Sequence, residues 1–167
     1  MNQQIVHVGI DVDDLRYHVC AFNPGIGEML DLHCRPTLKG PVGQLEKVRG
    51  HFDVVPMKLC YEASYLGFSL QRDLGDRGYD CAMVAPSSIP RRAGKSVKTD
   101  RIDATELSEF FANGLLTVVT APDAQTEQDR DLLRSRQQLV HQQAKIRRHI
   151  PPRIRRWIFR LANGASI

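Results

Sequence analysis

The order in which strand-length apolar runs and helical patterns follow one another between Ile5 and Pro86 is the strongest constraint on the fold. Ile5-Val6-His7-Val8-Gly9-Ile10-Asp11-Val12 is an apolar run of strand length with one acid near its end. Asp13 and Asp14 break it, Arg16 to Phe22 resumes a strand pattern, and Asn23-Pro24-Gly25-Ile26-Gly27 turns the chain. Glu28 to Arg35 follows as a hairpin partner, which predicts a three-stranded antiparallel meander. From residue 41 the pattern changes. Pro41 to Val48 reads as a short helix and Met57 to Glu62 as a fourth strand ending on Glu62. Ser64 is positioned to cap a helix over Tyr65 to Leu74, and Gly78 to Pro86 is a fifth strand stopped by proline. Strands alternating with helices pair in parallel through right-handed crossovers. The expected fold class is α/β: a mixed sheet with helices on both faces.

The chemistry concentrates on four acids. In Lys98-Thr99-Asp100-Arg101-Ile102-Asp103-Ala104 two carboxylates stand three residues apart at the start of a helical pattern that ends in Asn113-Gly114. Asp100 and Asp103 therefore share one helix face. Two carboxylates that close require a counter-charge, a shared proton or a metal ion, unless they simply form an acidic first turn favoured by the helix dipole. Asp11 and Glu62 close the first and fourth strands, and if those strands are neighbours both acids emerge at the sheet edge where α/β folds place their sites. Four carboxylates suit hard divalent ions, Mg²⁺ or Mn²⁺, and a pair of such ions about 3.5–4 Å apart is suited to phosphodiester chemistry.

Charge separates the body from the tail. Residues 1–123 hold 13 basic and 16 acidic side chains, whereas residues 124–167 hold 10 and 3. A long amphipathic helix is expected over Thr126 to Arg148, where Arg134, Arg136, Lys145, Arg147 and Arg148 have the charge and reach to track a phosphate backbone, with a solvated structural face as the plainer alternative. Its thin apolar stripe suits a projecting helix or pairing with a second copy. Arg91, Arg92, Lys95 and Lys98, in the basic loop before the Asp100 helix, are candidate nucleic-acid contacts. Three segments are expected: 1–123 as a catalytic domain, 124–150 as the basic helix, and 151–167 as a disordered or non-native tail. His7 and His18 sit in strand patterns and read as core or surface histidines rather than ligands, and Asp13 and Asp14 as a turn facing water. Four scattered cysteines imply reduced core thiols. Hydrophobic residues make up 42% of the chain, enough for a core, with no membrane-length apolar span and no leader-like start; a cytoplasmic protein is expected.

Gly9-Ile10-Asp11-Val12, Tyr61-Glu62-Ala63-Ser64 and, most specifically, Lys98 to Ala104 resemble the signature of the Piv-like transposases of the insertion sequence 110 family. The resemblance runs from about Ile5 to Ile150 and implies a RuvC-like, ribonuclease H-like nuclease domain. It places an Asp-Glu-Asp-Asp tetrad on Asp11, Glu62, Asp100 and Asp103, which in the family bind divalent metal and act in DNA cleavage and strand exchange. Some family members are guided by a structured RNA. This chain has Asp13-Asp14 where a small residue and a lysine are usual, and Ser64-Tyr65 where a glycine follows the glutamate. The family continues into a second domain that supplies a serine; this chain stops at Ile167 and is expected to be incomplete for transposition alone.

Two other classes compete. A non-catalytic nucleic-acid-binding or dimerising remnant would draw on the basic helix. A phosphotransferase of the sugar kinase and actin superfamily shares the sheet type but needs glycines and hydroxyls after the first-strand acid, where Asp13-Asp14 would repel phosphate.

Overall fold

The computed structural model describes residues 5–53, 56–90 and 100–163, with backbone only for Ser88 and residues 100–103. The elements in chain order are β1 (Val6–Asp11), β2 (Tyr17–Asn23), β3 (Glu28–Cys34), α1 (Gly40–His51), β4 (Met57–Glu62), α2 (Ser69–Asp76), β5 (Asp80–Val84), α3 (Asp100–Ala112), β6 (Val118–Val119) and α4 (Ala124–Ala162), with a single 3-10 turn at Pro86–Ser88. The chain divides into two compact units, Met1–Ala121 and Pro122–Ile167.

In the first unit six strands form one sheet in the order β3-β2-β1-β4-β5-β6. β1, β2 and β3 pair antiparallel as the expected meander, while β1, β4 and β5 are parallel neighbours. This is the mixed sheet flanked by helices that the apolar pattern predicts. The meander turns on Asn23, whose side-chain oxygen accepts from Gly25 N (3.0 Å) and whose carbonyl accepts from Gly27 N (2.9 Å). Gly27 has φ 69°, a backbone conformation that disfavours side chains with a Cβ.

Alternation along the strands sorts side chains between two cores. Val6, Val8, Ile10, Val19, Ala21, Leu59, Tyr61 and Met83 pack against Leu45 and Val48 of α1 and Leu70 and Leu74 of α2. On the opposite face Cys60 and Val84 pack against Leu107 of α3, with Phe111 and Leu116 beside them. In this unit α2 and β6 differ from the expectation. The helix over Tyr65 to Leu74 begins only at Ser69: Gly67 takes φ 53°, and the Ser64 hydroxyl accepts from Leu66 N at 3.4 Å without capping a helix. A two-residue strand, β6, pairs antiparallel with β5 through Met83↔Val119 and Val84↔Val118.

In the second unit α4 is one helix of 39 residues. Asp123 caps it, its carboxylate accepting from Thr126 N (2.7 Å) and from the Thr126 hydroxyl (2.7 Å). The helix runs through Pro151 and Pro152, each of which lacks a donor N–H, to Ala162. No residue of α4 is buried. Among the described residues, no helix is long and apolar enough to cross a membrane.

Candidate metal centre

The site is built on how closely α3 approaches β1. Gly9 lies mid-strand, and a Cβ there would fall 2.7 Å from Ser108 N and 2.8 Å from Leu107 Cβ and would collide with the Ala104 carbonyl oxygen. Only glycine lets the helix backbone rest on the strand at this point. Further toward the start of β1 the His7 ring meets Phe111 edge-on, with centroids 5.8 Å apart. The Cys60 thiol, on the neighbouring β4, donates to the Leu107 carbonyl at 3.7 Å. His7 beside Phe111 and Gly9 beside Ala104 to Ser108 mean that α3 descends as β1 ascends. Two further strand residues advance about 6.6 Å, and about four helical residues cover the same length. The first turn of α3, which begins at Asp100, therefore lies over the end of β1 that carries Asp11.

Glu62 reaches the same place from β4. Ile10 pairs with Tyr61 in parallel, so Asp11 and Glu62 are the next residues of two strands that run about 4.8 Å apart. Both lie on the α3 side, because Ile10 and Tyr61 face the opposite core while Gly9 and Cys60 meet α3. Both are half-buried. The structure thus brings together Asp11, Glu62 and the helical turn that contains Asp100 and Asp103, the side chains of which lie outside the described residues. Among the described residues no three His, Cys, Asp or Glu side chains are grouped to hold an ion by themselves. The donor chemistry fits a hard divalent cation, since the acids supply oxygen ligands and their partial burial strengthens their field.

Cys20, Cys34, Cys60 and Cys81 form no disulfide. Burial drives the Cys60 thiol far above its usual range and Cys81 up to about 12, so both favour the protonated form at neutral pH. Asp13 forms the expected turn, its carboxylate accepting from Leu15 N at 2.9 Å, with Asp14 exposed. The feature missed by sequence reasoning is His18, paired in register with Asp11 and buried at 9% exposure. Periodicity signals a strand there and says nothing of whether an imidazole finds partners.

The predicted nucleic-acid contacts fall into two groups. Arg91, Arg92, Lys95 and Lys98 lie outside the described residues. Arg134, Arg136, Lys145, Arg147 and Arg148 are exposed on α4. At 100° per residue, Arg134, Lys145 and Arg148 share one face with Arg130, His141 and Arg155, opposite a stripe of Leu132, Leu139, Ile146, Ile150, Ile154, Trp157 and Leu161. Arg136 and Arg147 flank the apolar stripe instead. Arg134 also reaches Asp131 at 3.5 Å, and Arg148 donates to the Ala144 carbonyl at 3.4 Å.

A model of the IS110-type DEDD transposase family, described as "Transposase", matches residues 8–151. The chain belongs to the IS110 transposase family. A putative transposase, y4qE, of Sinorhizobium fredii (strain NBRC 101917 / NGR234) is 35% identical over 142 residues, covering 80% of this chain and 34% of that relative. The transposase for insertion sequence element IS1533 of Leptospira borgpetersenii is 37% identical over 81 residues, covering 48% of this chain and 23% of its own length. This IS110 family member therefore spans about a third or less of the curated relatives it matches. Among solved structures, it is similar to the large terminase nuclease from thermophilic phage G20c (TM-score 0.43, 10% identity, 65% of this chain and 82% of that one). It is also similar to T. thermophilus RuvC in complex with a Holliday junction substrate (TM-score 0.40, 12% identity, 69% and 99%).

Proposed function

We propose that this chain is the nuclease portion of a DNA transposase or site-specific recombinase, with a centre for two divalent ions, Mg²⁺ or Mn²⁺, at Asp11, Glu62, Asp100 and Asp103. The observation that carries the reading is the seating of α3 on Gly9, which puts the start of that helix over the adjoining ends of β1 and β4. Asp11 and Glu62 enter from neighbouring strands, so their backbones are held by the sheet ladder and need no reordering to bind. Asp100 and Asp103 enter from a helix whose position is fixed by packing against the same strand. When bound, the ions supply Lewis-acid activation of the attacking oxygen and stabilisation of the leaving oxygen in phosphodiester cleavage. The chain's own contribution is to hold four oxygen donors in a partly dry recess and to orient them. Arg91, Arg92, Lys95 and Lys98 are suited to bind the substrate phosphates beside that recess.

The basic face of α4 would bind the polyanion, whether DNA or a structured guide RNA encoded by the element, and the apolar stripe is suited to pairing with a second copy. A protein handling element DNA in this way would work in the cytoplasm. A second reading is favoured by the exposed basic helix: a non-catalytic protein that binds nucleic acid or dimerises with a transposase partner. Strand cleavage separates the two. With Mn²⁺ present, the purified chain is expected to nick branched DNA, and Asp11→Asn or Asp103→Asn to remove the nicking while leaving DNA binding in place. Binding without any cleavage by the parent chain selects the second reading.

A further inference from the structure

β2 carries His18 opposite Asp11, as Cα partners of an antiparallel pair. Directly opposed residues in such a pair project from the same face of the sheet. For this pair it is the α3 face, because the neighbours Tyr17 and Val19 belong to the α1/α2 core together with Ile10. On its other side His18 is opposed by His33 of β3, the two rings standing 6.3 Å apart between centroids and tilted by 37°. His18 is 9% exposed, and neither Nδ1 nor Nε2 has a hydrogen-bond partner. A buried imidazole with both nitrogens orphaned is costly, and an apolar ring would fill the same volume without that cost. Its cross-strand neighbours are Asp11 on β1 and the exposed His33 on β3.

We propose that His18 is a positioning residue for Asp11, its ring N–H donating to the Asp11 carboxylate when that carboxylate holds a divalent ion. The inference rests on reading Asp11 as a metal ligand. A carboxylate that gives one oxygen to a cation keeps the other for a donor, and such outer partners fix the ligand's rotamer and basicity. The cross-strand neighbour on the same face has its backbone already registered with Asp11 by the sheet, and unlike Glu62 on the other side it can donate a hydrogen bond. His18 acts through the carboxylate and not as a nitrogen ligand, so its effect falls equally on an oxygen-loving ion and on one that also accepts nitrogen.

Calorimetric titration of the full chain with MgCl₂ and with MnCl₂ tests this, using His18→Phe, His18→Leu and His18→Gln beside Asp11→Asn. Both apolar variants are expected to lose about tenfold in affinity for each ion, with a melting temperature no lower than the parent's. His18→Gln, which keeps an amide N–H, should recover most of the loss. Unchanged affinities in whichever apolar variant folds would overturn the proposal, as would a loss confined to Mn²⁺, which marks a direct nitrogen ligand. If Asp11→Asn binds both ions like the parent chain, the underlying metal reading fails as well, a result separate from any given by the His18 variants alone.

Discussion

Gly9 shows how a single missing methyl group can decide where a helix lies. Its Cβ position is taken by the backbone of α3 at Ala104 and Ser108 and by the Leu107 side chain, and none of these can swing aside as a long flexible side chain would. Gly9→Ala should therefore destabilise the domain by about 1–3 kcal/mol, the usual penalty for overpacking a filled core. Urea denaturation measures it, and the same variant should bind Mn²⁺ more weakly because α3 must move off the strand that carries Asp11. Stability equal to the parent's would mean that the helix is not seated there. At this scale the sequence was partly legible. Asp11 and Glu62 stand out because each ends an apolar run, and a glycine inside a strand is itself a signal of close backbone approach. His18 was not legible: an alternating pattern distinguishes inside from outside but does not count the partners of a buried nitrogen.

Elements followed the apolar periodicity wherever packing and propensity agreed. β1 to β5 each carry a run long enough to alternate. β6 consists of Val118 and Val119 alone, too short for any period to register, and exists only because β5 offers it an edge. The start of α2 shifted because Gly67, at φ 53°, interrupts a stretch whose apolar spacing otherwise suits a helix. α4 is set by charge as much as by apolar spacing, and its two faces make distinct predictions. Replacing Arg134, Lys145 and Arg148 together with alanine should weaken binding to duplex DNA and flatten the dependence of log K on log salt by about 2–3, the expected loss for three phosphate contacts. Replacing Arg136 and Arg147, which flank the apolar stripe, should leave that slope near the parent's. Fluorescence anisotropy at several salt concentrations reads both. Equal slopes in the two variants would show that the polyanion does not follow the Arg134 face.

At the scale of the fold, one topological choice brings the candidate site residues together. The meander β1-β2-β3 places His18 and His33 on one flank of Asp11, the crossover to β4 places Glu62 on the other, and α3 closes the edge from above. No two of the four acids are close in sequence except Asp100 and Asp103, so the proposed centre would exist only in the folded domain and its affinity for metal would report the fold directly. The most direct measurement is a calorimetric titration of the full chain with Mn²⁺, repeated with Asp11→Asn and Asp103→Asn. The account predicts saturable binding in the parent chain that is lost in both variants, one altered on the sheet and one on the helix. Binding that survives either substitution, or is absent from the parent chain, would contradict a centre shared between β1, β4 and α3.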